Sequence, residues 1–553
     1  MMTPYAKSAE PTTISTADVV VVGAGFAGLY ALRRFRDDLG MRVRAFEKGN
    51  DVGGTWYWNQ YPGARCDVPS TFYSYSWDEA LEQEWTWTEK YATQPEILAY
   101  LQHAAGRFDL YKDIDFSTAV TGARYDEERN RWVVTTDKGE TVEAQFVVTA
   151  VGCLSASNLP GVPGLDDFVG DIYHTGEWPR EGVDFTGKRV VVIGTGSSGL
   201  QVIPQIALQA EHLTVLQRTP SFSVPAWNRP FTEEEITEIK ANYRKLREAA
   251  RATAGGVPAP PSEGKGSELS AEEFNAALAK GWEAGGASIL RTFDDLMVDE
   301  NTNEAVAEFF RARIREIVDD PKTAELLCPS GFPVGAKRLC VDTDYFATYN
   351  RYNVELVSVK DSPIELITAT GIRAGGRDIE ADAIVFATGY DAMTGPYLKM
   401  DIRGRGGLTL QEKWEAGPRT YLGIATAKYP NLFMITAPGS PSVLGNVVAA
   451  IEQHVEWITD YLNYLRDHDI PVTEPTMEAE DEWVDHVNAL ADATIYTKAA
   501  SWYLGANIPG KPRVFMPYPG GHVTYRKKCD QVAADDYEGF SHQNSEVLVG
   551  SLA

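Results

Sequence analysis

The stretch Ala17-Asp18-Val19-Val20-Val21-Val22-Gly23-Ala24-Gly25-Phe26-Ala27-Gly28, running on into Leu29-Tyr30-Ala31-Leu32-Arg33-Arg34-Phe35, decides the fold. A short β-branched run reads as a buried strand, and the segment after the glycines has helical periodicity. Between them lies GxGxxG. In such a turn the first glycine makes the sharp bend, the second lets backbone approach a pyrophosphate, and the third lets the helix pack on the strand. The anion then sits at the positive end of the helix. The same order recurs further on. Arg189 to Ile193 is the strand, Gly194-Thr195-Gly196-Ser197-Ser198-Gly199 carries the glycines, and Leu200 to Leu208 opens the helix. One GxGxxG is a weak signal, but two with strand before and helix after predict two dinucleotide sites.

The next strand of each unit says which dinucleotide goes where. Glu47 stands nineteen residues after Gly28, at the end of Arg42 to Phe46, where a carboxylate accepts hydrogen bonds from ribose hydroxyls. Arg218 stands nineteen residues after Gly199, followed by Thr219. A carboxylate repels a 2′-phosphate, whereas a guanidinium holds one bidentately. The first site therefore suits FAD or NAD and the second NADP.

Composition narrows the class without naming the chemistry. The 553 residues allow about three or four folding units at ~150 residues each. With 51 Lys+Arg against 78 Asp+Glu the net charge is −27, which argues against a nucleic-acid binder and gives no hint of anionic membranes. Cys66, Cys153, Cys328, Cys340 and Cys529 are odd in number and form no CxxC, so neither a disulfide framework nor a metal site is expected. Met1 to Ser15 has no basic and apolar succession of a signal peptide, and the apolar runs are strand-length, so a soluble cytoplasmic protein is expected.

The fold class expected is α/β, with two Rossmann-like dinucleotide-binding domains and a helical insertion. Gln145 to Gly152 and Ala383 to Asp391 are apolar strands ending in small-residue turns, and they resemble the strands that return the chain from one nucleotide domain to the other in two-dinucleotide flavoproteins. Thr232 to Asp320 is charge-rich and helical in pattern, broken at residues 255–262 by a Gly- and Pro-rich stretch that reads as a mobile loop. The expected division is a first dinucleotide domain at 1–151 and 387–553, a second, NADP-binding one at 152–221 and 331–386, and the insertion at 222–330; the family resemblance given below makes the first an FAD domain.

Two longer motifs carry a family resemblance. Phe168, Gly170, His174, Trp178 and Pro179 fit FxGxxxHxxxWP, and residues 53–67 fit GGxWxxxxYPGxxxD. In these the chain resembles the type I Baeyer–Villiger monooxygenases, with the phenylacetone and steroid monooxygenase branch closest in pattern. The resemblance covers essentially the whole chain and implies a two-dinucleotide-binding flavoprotein. It further implies FAD contacts from Gly23, Gly25, Phe26, Gly28, Glu47, Gly54, Thr55, Trp56, Tyr57, Trp58, Asp67, Tyr73, Val120 and Val447. For NADP it implies Arg65, Cys66, Asp67, Gly194, Thr195, Gly196, Ser197, Ser198, Gly199, Gln201, Arg218, Thr219, Lys337, Arg338 and Trp502. The catalytic pair it implies is Arg338 and Asp67, and the substrate pocket Leu154, Val443, Leu444 and Val447. His174 by itself reads as a structural hydrogen-bonding residue, and the motif around it as one that coordinates domain movement.

The activity so implied is insertion of one oxygen atom from O2 beside a ketone carbonyl, through a C4a-peroxyflavin and a Criegee-type adduct, to give an ester or lactone. NADPH is the reductant. A peroxide anion needs a permanent cation beside it, and arginine keeps its proton. A heteroatom oxygenase acting on amines or sulfides shares both glycine motifs, and a non-catalytic NADPH sensor is the reading from another class. A disulfide reductase needs a cysteine pair that Cys66 lacks. A monomer is the default for the family, and the identity of the ketone stays open.

Overall fold

The computed structural model describes residues 14–543. The signal-peptide reading at Met1 to Ser15 therefore lies almost wholly outside the described residues, as do the outer ends of the first and last expected segments. Val19, Val20 and Val21 are fully buried, in a strand Ile14–Val22 flanked on both sides by parallel neighbours. A central parallel strand is covered on both faces, which is why it reads as an unbroken β-branched run instead of alternating.

The first sheet runs in the order Asp401–Arg403, Val120–Asp126, Arg131–Thr136, Thr141–Thr149, Ile14–Val22, Val43–Phe46, Ile114–Asp115. Thr141–Thr149 is shared. Its first half pairs antiparallel with Arg131–Thr136, and its second half pairs parallel with Leu432–Met434. The second sheet is entirely parallel, in the order Val354–Ser358, His212–Gln217, Arg189–Ile193, Ala383–Phe386, Asp171–His174. Ala383–Phe386 closes this second sheet, and strands from beyond it, Asp401–Arg403 and Leu432–Met434, lie in the first.

Three long helices, Glu233–Arg251, Ala271–Ala284 and Glu300–Ile317, interrupt the second unit. Two begin with a full capping box, Thr232 with Glu235 and Ser270 with Glu273, which satisfies orphan amide donors of the first turn. The apolar faces of Ala271–Ala284 and Glu300–Ile317 share a core with Phe222, Val224, Leu339 and Val341. Those last residues flank a parallel pair, Ser223–Pro225 with Cys340–Asp342, that closes the insertion at its base. Arg247 ties the first of these helices to the first unit, donating to Glu82 at 2.8 Å, to Ser74 at 2.8 Å and to the Tyr75 carbonyl at 3.1 Å.

The reading of residues 255–262 as a mobile loop needs correction at its start. Gly255 and Gly256 are buried, the Gly255 carbonyl accepts the Asn446 amide at 2.8 Å, and the Thr253 hydroxyl bonds both ways with the Val257 backbone. Glycine and proline exclude regular structure there, but glycine's bare Cα also permits close packing, and here the packing governs.

Candidate active site

Each glycine loop closes on itself. At Gly23, φ is +103°, and a Cβ there would stand 2.6 Å from the Ala150 carbonyl oxygen; one on Gly28 would stand 1.8 Å from the oxygen of Gly23. The second loop repeats this, with φ +109° at Gly194 and a Cβ on Gly199 only 2.3 Å from the Gly194 oxygen. The middle glycine of the second loop, Gly196, has nothing within 4 Å of where its Cβ would stand. That open face, at the N-terminus of helix Ser197–Ala207, is the cradle a pyrophosphate requires. In the first unit Gly25 faces Gly54, whose Cα lies 3.3 Å from the position of a Cβ on Gly25, so the first glycine loop and the start of the second long motif form one surface.

Beside each loop the sign of the charge differs. Gly23 donates to the Phe46 carbonyl at 2.8 Å and Gly194 to that of Leu216 at 3.1 Å, which brings the ends of the neighbouring strands alongside. Glu47 follows Phe46 and is buried. Its Oε2 accepts the Ala24 amide at 2.9 Å and its Oε1 the Gly49 amide at 2.8 Å. Arg218, beyond Gln217, is exposed and has no carboxylate partner among the described residues. Lys337 is its neighbour in space, with Nζ 4.4 Å from the centre of the Phe332 ring. Burial, and then the Arg218 charge, push the Lys337 pKa down. Two cations left facing each other without an anion fit a phosphate. Thr195 and Thr219 meet as well, Oγ1 to carbonyl at 3.2 Å.

Arg338 and Asp67 are 271 residues apart in sequence and in direct contact. Nε and Nη2 of the guanidinium donate to the single oxygen Oδ2 at 3.0 and 2.6 Å, and Nη1 donates to the Val443 carbonyl at 2.5 Å. Burial opposes the charge on Arg338, but Asp67 and the nearby Tyr503 outweigh it and hold its pKa above the ordinary value. The cation is therefore permanent, and three hydrogen bonds fix its plane.

Phe26, Trp56 and Tyr73 pack together in the core of the first unit. Trp56 donates Nε1 to the Tyr73 hydroxyl at 3.3 Å, and Phe26 meets Tyr73 edge-on at 5.3 Å. Val447, at the start of helix Val447–Asp467, packs against the same core. Thr55 opens the helical turn Thr55–Trp58; Tyr57 bonds Asn50 and lies 3.6 Å beneath the Arg180 guanidinium, and Trp58 lies beneath Lys48. Val120 begins its strand in the cluster that contains Val22 and Phe46. Leu154, Val443 and Trp502 come together around Cys153, Met393 and Met516, and Leu444 joins the adjoining cluster with Tyr496, Tyr503 and Phe515.

Gln201 joins the two units, accepting from Tyr61 at 2.7 Å and donating to the Arg65 carbonyl at 3.0 Å. Ser197 lies by Cys340, and the Ser198 side chain by Tyr61. Cys66 is buried, with its thiol pKa pushed well up, so it stays a thiol. Arg65 is held by its own unit. Its guanidinium is taken by Glu89 at 3.2 Å and the Tyr91 carbonyl at 3.1 Å, so its charge is spent within the first unit. Sequence reasoning missed Tyr503, Cys153, Met393 and Met516. Only Tyr503 had a signal, as the neighbour of Trp502.

The histidine motif lies at the seam between units. His174 accepts the Gly176 amide on Nδ1 at 3.0 Å and meets the Thr388 hydroxyl with Nε2 at 3.4 Å. Burial lowers its pKa and keeps the ring neutral, as a structural hydrogen-bonding residue needs. Phe168 is buried against Gly170, and Trp178 against Tyr173 and Phe185.

Comparison with known proteins agrees with this geometry. The flavin-binding monooxygenase-like family matches residues 16–229. A Baeyer–Villiger monooxygenase of Pseudooceanicola batsensis is 43% identical over 94% of this chain and 95% of its own. The chain belongs to the Baeyer–Villiger monooxygenases. A solved structure described as oxidized steroid monooxygenase bound to NADP superposes with TM-score 0.92 at 51% identity, over 96% of this chain and all of that one. A phenazine N-monooxygenase of Lysobacter antibioticus is also 43% identical, over 95% of this chain and 96% of its own. As a Baeyer–Villiger monooxygenase, the chain is a flavoprotein oxygenase with the α/β, two-dinucleotide architecture expected above.

Proposed function

We propose that this Baeyer–Villiger monooxygenase uses FAD and NADPH to insert one atom of O2 beside the carbonyl of an apolar ketone, and that Arg338 and Asp67 form its reaction centre. The observation that carries the reading is the Arg338 guanidinium, gripped by Asp67 on one side and by the Val443 carbonyl on the other. The first glycine loop, Glu47 and the Phe26–Trp56–Tyr73 cluster would hold FAD. The second loop with Thr219, Arg218 and Lys337 would hold NADPH. When bound, the flavin takes electrons from NADPH and supplies the oxygen that attacks the carbonyl.

The residues do the rest. Arg338 offers a positive charge that does not titrate, suited to an anionic oxygen nucleophile and then to the oxyanion on the substrate carbonyl. That second charge develops only during reaction, so binding it accelerates the step. Asp67 orients the guanidinium and offsets its charge before the anion forms. Leu154, Val443 and Leu444, with Trp502 over them, exclude water and favour an apolar substrate. The acidic net charge and five buried, unbridged cysteines support a soluble cytoplasmic enzyme.

The test is product analysis by mass spectrometry after turnover with mixed ketones under labelled O2. One label atom in an ester or lactone is expected. The phenazine relative supports a second reading, oxygenation at an aromatic nitrogen, and label found only in N-oxides would favour it over ketone chemistry.

A further inference from the structure

We infer that Arg291 is a specificity-determining residue, placed to hold a carboxylate carried by the substrate at a distance from its ketone. This rests on the reaction proposed above. Arg291 ends the helical turn Ala287–Arg291 in the insertion, and its guanidinium abuts Gly255, where a Cβ would stand 1.6 Å from Nη2. The side chain is half-buried. Its one hydrogen bond is a long one, 3.4 Å from Nη1 to the Val257 carbonyl, and among the described residues it has no carboxylate partner.

This sets it apart from comparably enclosed arginines. Arg247 has Glu82, Arg405 has Glu474, Arg311 has Glu304 and Glu308, and Arg338 has Asp67. In a chain with 78 Asp+Glu against 51 Lys+Arg, carboxylates are plentiful. A cation withdrawn from water without one carries an uncompensated cost that a bound anion removes. Burial lowers the Arg291 pKa, with no carboxylate offsetting it.

A second unmatched polar group lies beside it. His522 is 7% exposed, and its Nε2 is buried without a hydrogen-bond partner. The ring packs on Gly445, where a Cβ would stand 2.5 Å from Nε2 and 2.9 Å from the Gly255 carbonyl oxygen. Gly255 and Gly445, lacking side chains, thus let the guanidinium and the neutral imidazole pack directly on bare backbone beside each other. Burial, then the charges of Arg526 and Arg291, bring the His522 pKa to about 4, so at neutral pH it can donate one N–H without adding charge.

The location links this pair to the reaction centre. The turn Ser442–Leu444 offers the Val443 carbonyl to Arg338, and two residues later Gly445 meets His522 and Gly255. Two residues span at most ~7 Å. Tyr496 feels the charges of both Arg338 and Arg291, and it packs in the cluster that holds Val443 and Leu444. A molecule with its carbonyl at Arg338 and an apolar chain along Val443 and Leu444 would bring its far end to Arg291. An oxo carboxylic acid of modest chain length has this form.

The test compares kcat/KM for oxo carboxylic acids of graded chain length with that for their methyl esters, which keep the ketone and remove the charge. The wild-type enzyme is expected to favour the acid at the best length by about ten- to a hundredfold, the range of a hydrogen-bonded charged pair. Arg291→Met should collapse that ratio through KM, and Arg291→Lys should restore part of it. A purely structural Arg291 would lower acid and ester turnover together and leave the ratio unchanged, which overturns the proposal. Simple medium-chain carboxylates should also compete with the acid in the wild-type enzyme. If Arg291→Met does not fold, absence of both acid preference and carboxylate inhibition in the wild type overturns it. Ester formation from neutral ketones without acid preference sinks this inference alone, whereas no oxygenation of any ketone sinks the reaction as well.

Discussion

Replacing Arg218 with alanine should separate the two cations assigned to the 2′-phosphate, because they are coupled to each other before any cofactor arrives. Arg218 is exposed, so the contact it loses lies at the lower end of the ~1.5–3 kcal/mol typical of hydrogen bonds to charged groups. That is about a tenfold rise in KM for NADPH, with kcat/KM for NADH unchanged. Lys337 adds a pH signature. It holds phosphate only when protonated, and its pKa lies below the ordinary 10.5, because of burial first and the Arg218 charge second. NADPH affinity is therefore lost on the alkaline side sooner than an exposed lysine would allow. Removing Arg218 relieves the second cause and leaves the first, so the alkaline limb of kcat/KM for NADPH should move to higher pH while staying below the ordinary lysine range. Steady-state kinetics with both nicotinamides across the alkaline range would measure this. A limb that stays put or moves down, or an equal loss with NADH, would refute the coupling of Arg218 to Lys337 and their joint role.

Three further outcomes are expected. Arg338→Ala should keep FAD bound and reducible by NADPH yet lower ester formation by about 10²–10³-fold, seen as NADPH oxidation without product; wild-type ester yield would remove Arg338 from the centre. Gly28→Ala places a Cβ 1.8 Å from the Gly23 oxygen, so the loop must open, and the purified protein should lose its yellow flavin spectrum; retained stoichiometric FAD would contradict the cradle. Arg247→Leu leaves Glu82 buried without its cation and should cost about 3–5 kcal/mol, read as a lowered denaturant midpoint; an unchanged midpoint would mean the insertion is not held there.

The nucleotide units were legible because the signal is local. Strand, glycine loop and helix are contiguous, and the distance from Gly28 to Glu47 or from Gly199 to Arg218 is set by one βαβ unit. The contact between Arg338 and Asp67 was reached only through resemblance, since no local rule joins residues 271 positions apart. The pairing of Arg65 with Glu89 was not legible, because it depends on a strand-like bridge between its own segment and Thr93, which leaves no sequence pattern. Cys153, Met393 and Met516 converge from three distant segments, and Met393 reaches its place with φ at +66°, a conformation nothing in its side chain announces. The Gly255 segment carried a composition signal whose meaning was inverted by packing.

The seam around His174 has a mechanical consequence. The chain passes between the units twice, and the passages are clasped where the Thr388 hydroxyl donates to the Asn158 carbonyl at 2.6 Å and Asn158 donates to the Gly389 carbonyl at 3.0 Å. The Trp502 segment is fastened just beyond, through Asn507 on the Tyr390 carbonyl at 2.7 Å and Lys511 on Asp391 at 2.6 Å. Joined by these bonds the two crossings form one clasp, and Tyr61 on Gln201 with Arg338 on Asp67 hold the units together elsewhere. The Trp502 segment is tied to that clasp, so a change at either crossing is felt at the wall of the pocket around Leu154 and Val443.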